Sequence, residues 1–298
     1  MKFCVAKNIR DKQNVFGISV EEYFYEWKNI SERVGMENHC NSLLEMLQDE
    51  EALNRIKEVA TQIEQVAKSL EGVPVANIIM LPPIQKTPKN IICVGKNYKD
   101  HAIEMGGEEA VPEDIIVFSK ATTTMIGHNQ QIPLHKEVTN QLDYEGELAV
   151  VIGKNGKNIK KENAFDYIFG YTIVNDITAR DLQSKHKQFF IGKSLDGSCP
   201  IGPYIVTKDE IGEVGNLQIK TYVNSELRQN SNTGDMIFPI EDIIEIVSKG
   251  MTLEAGDIIA TGTPAGVGKA MKPQRFLQSG DKIEIEIEGI GCLKNSVE

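Results

Sequence analysis

The chain is short of nearly everything that marks a membrane, secreted or nucleic-acid-binding protein. No apolar run approaches the ~18 residues of a membrane-spanning helix. The opening Met-Lys-Phe-Cys-Val-Ala-Lys lacks the apolar centre of a secretory leader. Cysteine is scarce and odd in number: the five are Cys4, Cys40, Cys93, Cys199 and Cys292, and no Cys-x-x-Cys occurs. Neither a disulfide framework nor a structural zinc site is expected, whereas a reducing, cytoplasmic setting is. Positive charge is deficient too, with 32 Lys and Arg against 43 Asp and Glu and a net charge of −11. Such a surface repels phosphate backbones and anionic lipid, so neither nucleic acid nor membrane is an expected partner. A small anionic substrate stays open if a metal ion or a few Lys and Arg make a local positive site.

What is present is ordinary for a globular chain: 298 residues, 41% hydrophobic and 25% charged, enough for one large domain or a domain with an appendage. Residues 1–40 hold short strand-like pieces such as Phe3-Cys4-Val5-Ala6. Residues 41–71 read as one helix, with Asn41 as N-cap, Gly72 as stop, and Leu53, Ile56, Ala60, Ile63, Ala67 and Leu70 along one face. Pro74, Pro82, Pro83 and Pro88 then mark an extended linker. From residue 90 the pattern changes to short β-branched runs: 91–94, 115–118, 148–152, 171–174, 258–260 and 283–287. Ile240 to Ser248 is the clearest late helix. The expectation is an α+β chain, with a small N-terminal α/β domain over 1–85 and a β-rich domain over 86–298.

Acidic chemistry concentrates in Gln141-Leu142-Asp143-Tyr144-Glu145-Gly146-Glu147. On a strand, residues two apart share a face and stand roughly 6–7 Å apart at the backbone. Two carboxylates aimed at one point repel unless a cation sits between them, and Gly146 would let another group approach closely. Asp176 ends a second apolar run. Three carboxylates from strand ends make a hard-oxygen site suited to Mg²⁺ or Mn²⁺, and no His or Cys stands adjacent to favour zinc. On spacing alone, Glu145 and Glu147 also read as solvent-facing strand acids. His101 and Glu104 lie at i, i+3. If that turn is helical they share a face, and the carboxylate orients the imidazole as a general base. Gly106-Gly107 would then hinge a closing segment.

Several segments together carry a family resemblance. They are 142–153, 174–183, 192–196, 199–203 and 256–268, the last reading Gly-Asp-Ile-Ile-Ala-Thr-Gly-Thr-Pro-Ala-Gly-Val-Gly. In this order, over about residues 88–295, they resemble the motifs of the fumarylacetoacetate hydrolase family. Residues 95–107 resemble that family's flexible active-site segment. Within the family the chain looks most like the bacillary YisK-like proteins and the acylpyruvase and oxaloacetate decarboxylase members. The resemblance implies a mixed β-roll catalytic domain assembled as a homodimer. It implies that Glu145, Glu147 and Asp176 hold the metal and that Arg180, Gln183, Lys193 and Thr263 line the substrate pocket. Lys193 and Arg180 are the expected partners of substrate carboxylate and enolate charge, and His101, Glu104 and Lys193 the catalytic set. The turn 261–268 is not a phosphate loop, and reads instead as holding a substrate carboxylate. Lys120 precedes Ala121 where the family has Pro or Ser, and is kept only as a pocket residue. His39, His128, His135 and His186 form no metal-ligand spacing and receive no chemistry, although His128 and His135 could fall near the pocket.

The expected activity is divalent-metal-dependent cleavage of a small 2-oxo acid, by oxaloacetate decarboxylation or acylpyruvate hydrolysis. The same enolate would serve an isomerase or hydratase of an unsaturated 2-oxo or 2-hydroxy dicarboxylic acid. A reading of another class makes the protein mainly a binding partner in a cellular assembly, presenting its N-terminal helical segment.

Overall fold

The computed structural model describes residues 1–7, 13–36 and 40–298, so His39 lies outside the described residues. The chain opens with an antiparallel meander of β1 (Lys2–Lys7), β2 (Asn14–Val20) and β3 (Tyr23–Glu26). Helix α1 (Trp27–Arg33) follows, then α2 (Leu43–Gln48) and α3 (Glu50–Lys68). The single helix expected over 41–71 is therefore two. Asp49 is extended, with φ −101° and ψ 101°; it ends α2 and caps α3 by accepting from Ala52 N. An acid in a helical pattern reads as helix surface, but aspartate competes for backbone N–H groups and favours caps over interiors. Ser42 rather than Asn41 caps α2, and α3 ends before Gly72. The buried stripe of α3 is Ile56, Val59, Ile63 and Ala67, with Val59 lying deeper than the expected Ala60.

Beyond the proline-rich connection come β4 (Ile91–Gly95), α4 (Lys99–Gly106), β5 (Ile116–Lys120), β6 (Gly146–Ile152) and β7 (Ile168–Asn175). Two short helices, α5 (Arg180–His186) and α6 (Phe190–Lys193), lead into β8 (Cys199–Thr207). The hairpin β9 (Gln218–Val223) and β10 (Glu226–Asn232), helix α7 (Ile240–Ser248), and strands β11 (Ile258–Ala260), β12 (Lys282–Ile287) and β13 (Gly291–Val297) complete the chain. Among the described residues, β3-β2-β1-β8-β7-β6-β11-β4-β5 lie side by side in a 12-stranded sheet, and β10-β9-β12-β13 belong to a 5-stranded one. The chain thus has the expected β-rich α+β fold. β1 pairs with β8 through Lys2↔Val206 and Phe3↔Ile205, so residues 1–85 are hydrogen-bonded into the sheet of residues 86–298. No helix among the described residues is long and apolar enough to cross a membrane.

The central strands read as unbroken apolar runs because both faces of the large sheet are covered. Along β6, Leu148, Val150 and Ile152 enter a core with Ile219 and Ile285 of the smaller sheet. Ala149 and Val151, on the opposite face, enter a core with Trp27, Ile56 and Ile63. The N-terminal helices therefore roof one face and the smaller sheet the other.

Register brings the polar residues together. β6 is antiparallel to β7 (Gly146↔Asn175) and to β11 (Ala149↔Ala260), and β11 is parallel to β4 (Ala260↔Cys93). The start of β6 and the ends of β7, β11 and β4 consequently meet at one edge of the sheet. Glu145, Asp176, Thr261 to Thr263 and Lys96-Asn97 fall at that edge.

Trp27, 2% exposed, anchors the roofed face, its ring 5.7 Å from Phe3 and 6.1 Å from Phe16. Trp27→Ala should destabilise the protein by about 3–5 kcal/mol in urea unfolding followed by circular dichroism. Because the two cores share one sheet, the wild-type protein should unfold in a single transition, reported alike by circular dichroism and Trp27 fluorescence. Separate transitions would contradict the shared sheet as the unit of stability.

Candidate active site

Glu145, Glu147 and Asp176 are all buried, and each offers a carboxylate oxygen within 4.8 Å of the others. The solvent-facing reading of the two glutamates is thereby removed. Gly146 has the role its lack of a side chain suggests: an added Cβ would stand 2.3 Å from Thr221 Oγ1 of the smaller sheet. Its amide instead donates to Gln229 Oε1 at 3.0 Å, while Gln229 Nε2 donates to Thr263 Oγ1 at 2.7 Å and Pro264 O at 2.8 Å. Asp176 N donates to Glu145 O at 2.8 Å, and Glu145 N to Asn175 Oδ1 at 3.1 Å, which ties the two acidic strand ends together.

Three buried cations answer this charge. Lys193 Nζ donates to Glu145 Oε2 at 2.5 Å and to Asp176 Oδ2 at 2.6 Å. Lys120 Nζ lies 2.8 Å from Asp176 Oδ1 and donates to the carbonyls of Ile177 and Lys193. Arg180 pairs through Nε with Asp143 at 2.9 Å and through Nη2 with Glu145 Oε1 at 2.6 Å. Asp143 itself accepts from the amides of Tyr144, Gly268 and Lys269, so it fixes both Arg180 and the turn after β11.

The two glutamates are unlike. Burial alone would push Glu145 up, but Lys193 and then Arg180 overcome it and hold its carboxyl well below the usual carboxylate range. Burial, followed by the charges of Asp176 and Glu145, pushes Glu147 well above its ordinary value. Among the described residues no Lys or Arg pairs directly with Glu147, whose Oε2 accepts only the amide of Gly262 at 2.9 Å. Gly262 supplies that amide from φ +103°, a conformation that favours glycine. Burial also works against the Lys193 ammonium, but Asp176 and Glu145 prevail and its pKa is raised. Four buried carboxylates thus face three buried cations, and Asp176 Oδ1 receives no aligned hydrogen bond despite its contact with Lys120. An all-oxygen set with one uncompensated charge and a free lone pair suits a divalent cation, which makes the triad a candidate divalent-metal site.

The cavity beside the triad is lined by His101, Glu145, Glu147, Arg180, Gln183, Lys193 and Thr263, and also by Val94, Gly95, Lys96, Met105, Phe118 and Phe189. Of the residues expected at the site, Asp176 and Glu104 stand behind this lining. Helix α4 does bring His101 and Glu104 together, with Nδ1 to Oε1 at 2.8 Å, and Glu104 is fixed by the amide of Gly266 at 2.9 Å. His128 accepts the amide of Lys294, His135 lies 2.8 Å from Asp196 O, and His186 is exposed; none of the three lines the cavity. Lys120 is fully buried behind Asp176 rather than on the wall.

The turn 261–268 uses several of its amides within the protein. Its amides are engaged by the protein's own carboxylates: Gly262 by Glu147, Gly266 by Glu104 and Gly268 by Asp143. Thr263 alone of the turn reaches the cavity wall, and its hydroxyl donates to Gly146 O at 2.9 Å. Arg180 likewise lines the cavity with its guanidinium turned to Asp143 and Glu145. Asp143, Gln229, Phe118 and Phe189 were not singled out by the sequence reading. Asp143 lies inside the acidic segment, but nothing local says that it closes on Arg180.

Residues 90–298 match the family described as fumarylacetoacetate (FAA) hydrolase, C-terminal. The chain is similar to oxaloacetate tautomerase YisK of Bacillus subtilis (strain 168), at 63% identity over 215 residues, 72% of this chain and 71% of the relative. Among solved structures it is similar to a fumarylacetoacetate hydrolase from psychrophilic Exiguobacterium antarcticum, with TM-score 0.81 and 41% identity over 100% of this chain and 99% of that one. It is also similar to maleylpyruvate hydrolase from Sphingobium sp. SYK-6 in complex with manganese (II) ion and pyruvate, with TM-score 0.77 and 27% identity over 100% and 98% of the two chains.

The state of Glu147 fixes the sign of a pH effect. Its folded pKa is raised, so without a cation the folded state holds that proton more tightly than the unfolded one. Stability is then lost as pH rises from the ordinary carboxylate value through the raised one. Glu147→Gln should raise the Tm of chelator-treated protein by a few degrees at neutral pH, and should abolish the Tm gain that added Mn²⁺ gives the wild type. Calorimetric Mn²⁺ affinity of the wild type should weaken as pH falls.

Proposed function

The chain belongs to the fumarylacetoacetate hydrolase family, and on that footing we propose that this enzyme makes and protonates the enol of a small 2-oxo acid, with a divalent cation held by Glu145, Glu147 and Asp176. The carrying observation is one cavity lined at once by Glu145, Glu147, His101 and Lys193. Oxaloacetate is the first substrate to test, because a relative at 63% identity is named an oxaloacetate tautomerase. Mg²⁺ and Mn²⁺ both suit an all-carboxylate donor set. When bound, the cation supplies Lewis-acid polarisation of the 2-oxo group.

The chain's own residues handle the proton. Conversion of enol to keto form breaks an O–H bond at the 2-oxygen and makes a C–H bond at carbon 3. His101 Nδ1 is taken by Glu104, which leaves Nε2 as the ring nitrogen that gives or takes the proton at carbon 3. Glu104, held by the Gly266 amide, fixes the tautomer and steadies the imidazolium. Lys193 uses two of its three N–H donors on Glu145 and Asp176, and its positive charge opposes the negative charge that develops on the enolate. Phe118 and Phe189, whose rings meet edge to face at 5.4 Å, wall the cavity against water.

On the sequence motifs, cleavage by oxaloacetate decarboxylation or acylpyruvate hydrolysis ranks ahead of isomerisation. The tautomerase relative reverses that order in the present proposal. Cleavage is kept as the second reading, favoured by likeness to two enzymes named as hydrolases. The homodimer belongs to the same proposal: Val117, Phe190 and Ile191 are exposed apolar residues on β5 and α6.

Enol absorbance of oxaloacetate, pyruvate release and acetylpyruvate loss, each followed with Mg²⁺ or Mn²⁺ and with chelator, separate the readings. Cation-dependent loss of the enol signal without pyruvate release is expected. His101→Gln should lower that rate about 10²–10⁴-fold while leaving cation binding intact. A fully active variant would remove His101 from the chemistry, and cation-independent turnover would remove the metal.

A further inference from the structure

A second cavity, of about 210 Å³, opens between β1, β2, α2 and the proline-rich connection, and it shares no lining residue with the cavity beside the triad. Its floor is apolar. Val5 and Phe16, cross-strand neighbours on β1 and β2, meet Leu43 of α2 and Ile84 of the connection there, and each is no more than 6% exposed. Close-packed interiors keep few voids larger than a water molecule, so such a space needs a cause. Its walls are held apart. Pro83 seats over Gly202 of β8, with Cδ 3.5 Å from where a side chain would begin, and Met80 O comes within 2.3 Å of the corresponding point on Gly127. Leu44 sits against Gly256, just before β11, with Cδ1 2.2 Å from where a Cβ would stand. The connection and α2 are thus fixed separately to the body of the chain and are not free to close on one another.

The rim is polar and carries one sign of charge. Lys86 lines it, and no carboxylate does. No hydrogen bond or ion pair engages the exposed Lys86 ammonium among the described residues. Asn41 gives its backbone amide to Glu45 Oε2 at 2.7 Å and keeps its side-chain amide unengaged. Ser42 Oγ accepts from Glu45 N at 3.2 Å, which leaves its hydroxyl proton to donate. Asn14 Nδ2 donates to Gln85 Oε1 at 3.2 Å, which leaves Gln85 Nε2 to donate. An ammonium and three uncommitted neutral donors therefore stand over an apolar floor, in a chain whose net charge is −11.

We infer that this cavity is a second ligand site, which takes a small carboxylic acid with an apolar body about the size of one aromatic ring. A cavity of about 150 Å³ lined by Leu, Ile and Phe admits benzene. At about 210 Å³, this one has room for such a ring and a short acid arm. The ring rests on Val5 and Phe16, and the carboxylate meets Lys86, Asn41 and Ser42. An amine would meet Lys86 as a like charge, and a wholly apolar guest would cover the rim donors without engaging them. The site stands whether or not the chain acts on 2-oxo acids. Its floor belongs to the core that backs β6 through Ala149 and Val151, so occupancy stabilises the folded chain.

Phenylacetate is the probe, with 2-phenylethanol and 2-phenylethylamine as its neutral and cationic counterparts. Calorimetric titration of the chelator-treated full chain should show phenylacetate bound on the order of fivefold more tightly than the alcohol, the upper worth of an exposed charge pair, with the amine weaker still. Saturation should raise Tm and shift the emission of Trp27, the chain's one tryptophan, whose ring stacks on Phe16 at 6.1 Å. Lys86→Glu should erase the preference for the acid without changing the Tm of the unliganded protein, because Lys86 is exposed. Glu147→Gln, altered only in the other cavity, should bind phenylacetate as the wild type does. Absence of saturable binding in the millimolar range, equal binding of the three probes, or a preference that survives Lys86→Glu would each overturn the inference. So would loss of binding in Glu147→Gln, which would place the probe at the carboxylates instead.

Discussion

Like charges crowd the edge of the large sheet, and the rest of the site is arranged to permit it. Asp143, Glu145, Glu147 and Asp176 are each no more than 4% exposed. Removing that many carboxylates from water is severely unfavourable unless each finds a counter-charge or aligned donors. Lys193 binds Glu145 to Asp176, Lys120 supports Asp176 from behind, and Arg180 joins Asp143 to Glu145. Among the described residues, Glu147 has an amide and no paired cation. The asymmetry between Glu145, held ionised, and Glu147, pushed toward its protonated form, follows from that one missing partner. It also makes the site receptive to a cation from solution.

The sheet delivers this arrangement by register. Antiparallel pairing of β6 with β7 sets Glu145 beside Asp176, and the parallel pairing of β11 with β4 sets the Thr261–Thr263 turn beside Asn97. Gly146 then lets the smaller sheet come close enough for Gln229 to hold the β6 backbone and the Thr263 hydroxyl at once. Carboxylates fixed to hydrogen-bonded backbone cannot splay to relieve their repulsion, which is what a preorganised cation site requires.

The residues legible in the sequence are those whose signal is local. Ile258 to Ala260 and Ile240 to Ser248 read as a strand and a helix, and they are that in the fold. The alternation of β6 between two cores left a continuous apolar run that was easy to find. The spacing of Glu145 and Glu147 allowed a shared site or a solvent-facing pair, and the family resemblance favoured the site; the i, i+3 spacing of His101 and Glu104 put them on one face. Asp49 could not be read as a break, because an acid in a helical pattern looks the same at a cap and on a solvent face. Lys120 and Asp143 were harder still. Their partners, Asp176 and Arg180, lie dozens of residues away, and only the closed sheet brings them within reach. The amides of the turn after β11 are engaged by contacts just as distant in sequence: the acids that hold them come from α4 and from the approach to β6.

The pairing of β1 with β8 has a temporal consequence. A ribosome releases Lys2 and Phe3 well before their hydrogen-bonding partners Val206 and Ile205, which lie more than 200 residues further along the chain. Until then the Lys2–Phe3 end of β1 presents a bare edge, residues 5–7 being paired by residues 79–81, and the aromatic group of Phe3, Phe16 and Trp27 has no β6 or β7 to pack upon. Closure therefore depends on contacts of very long sequence separation, a slow topology for a growing polypeptide. The nascent meander, with its unpaired edge and apolar underside, is the stage of biosynthesis most in need of chaperone cover.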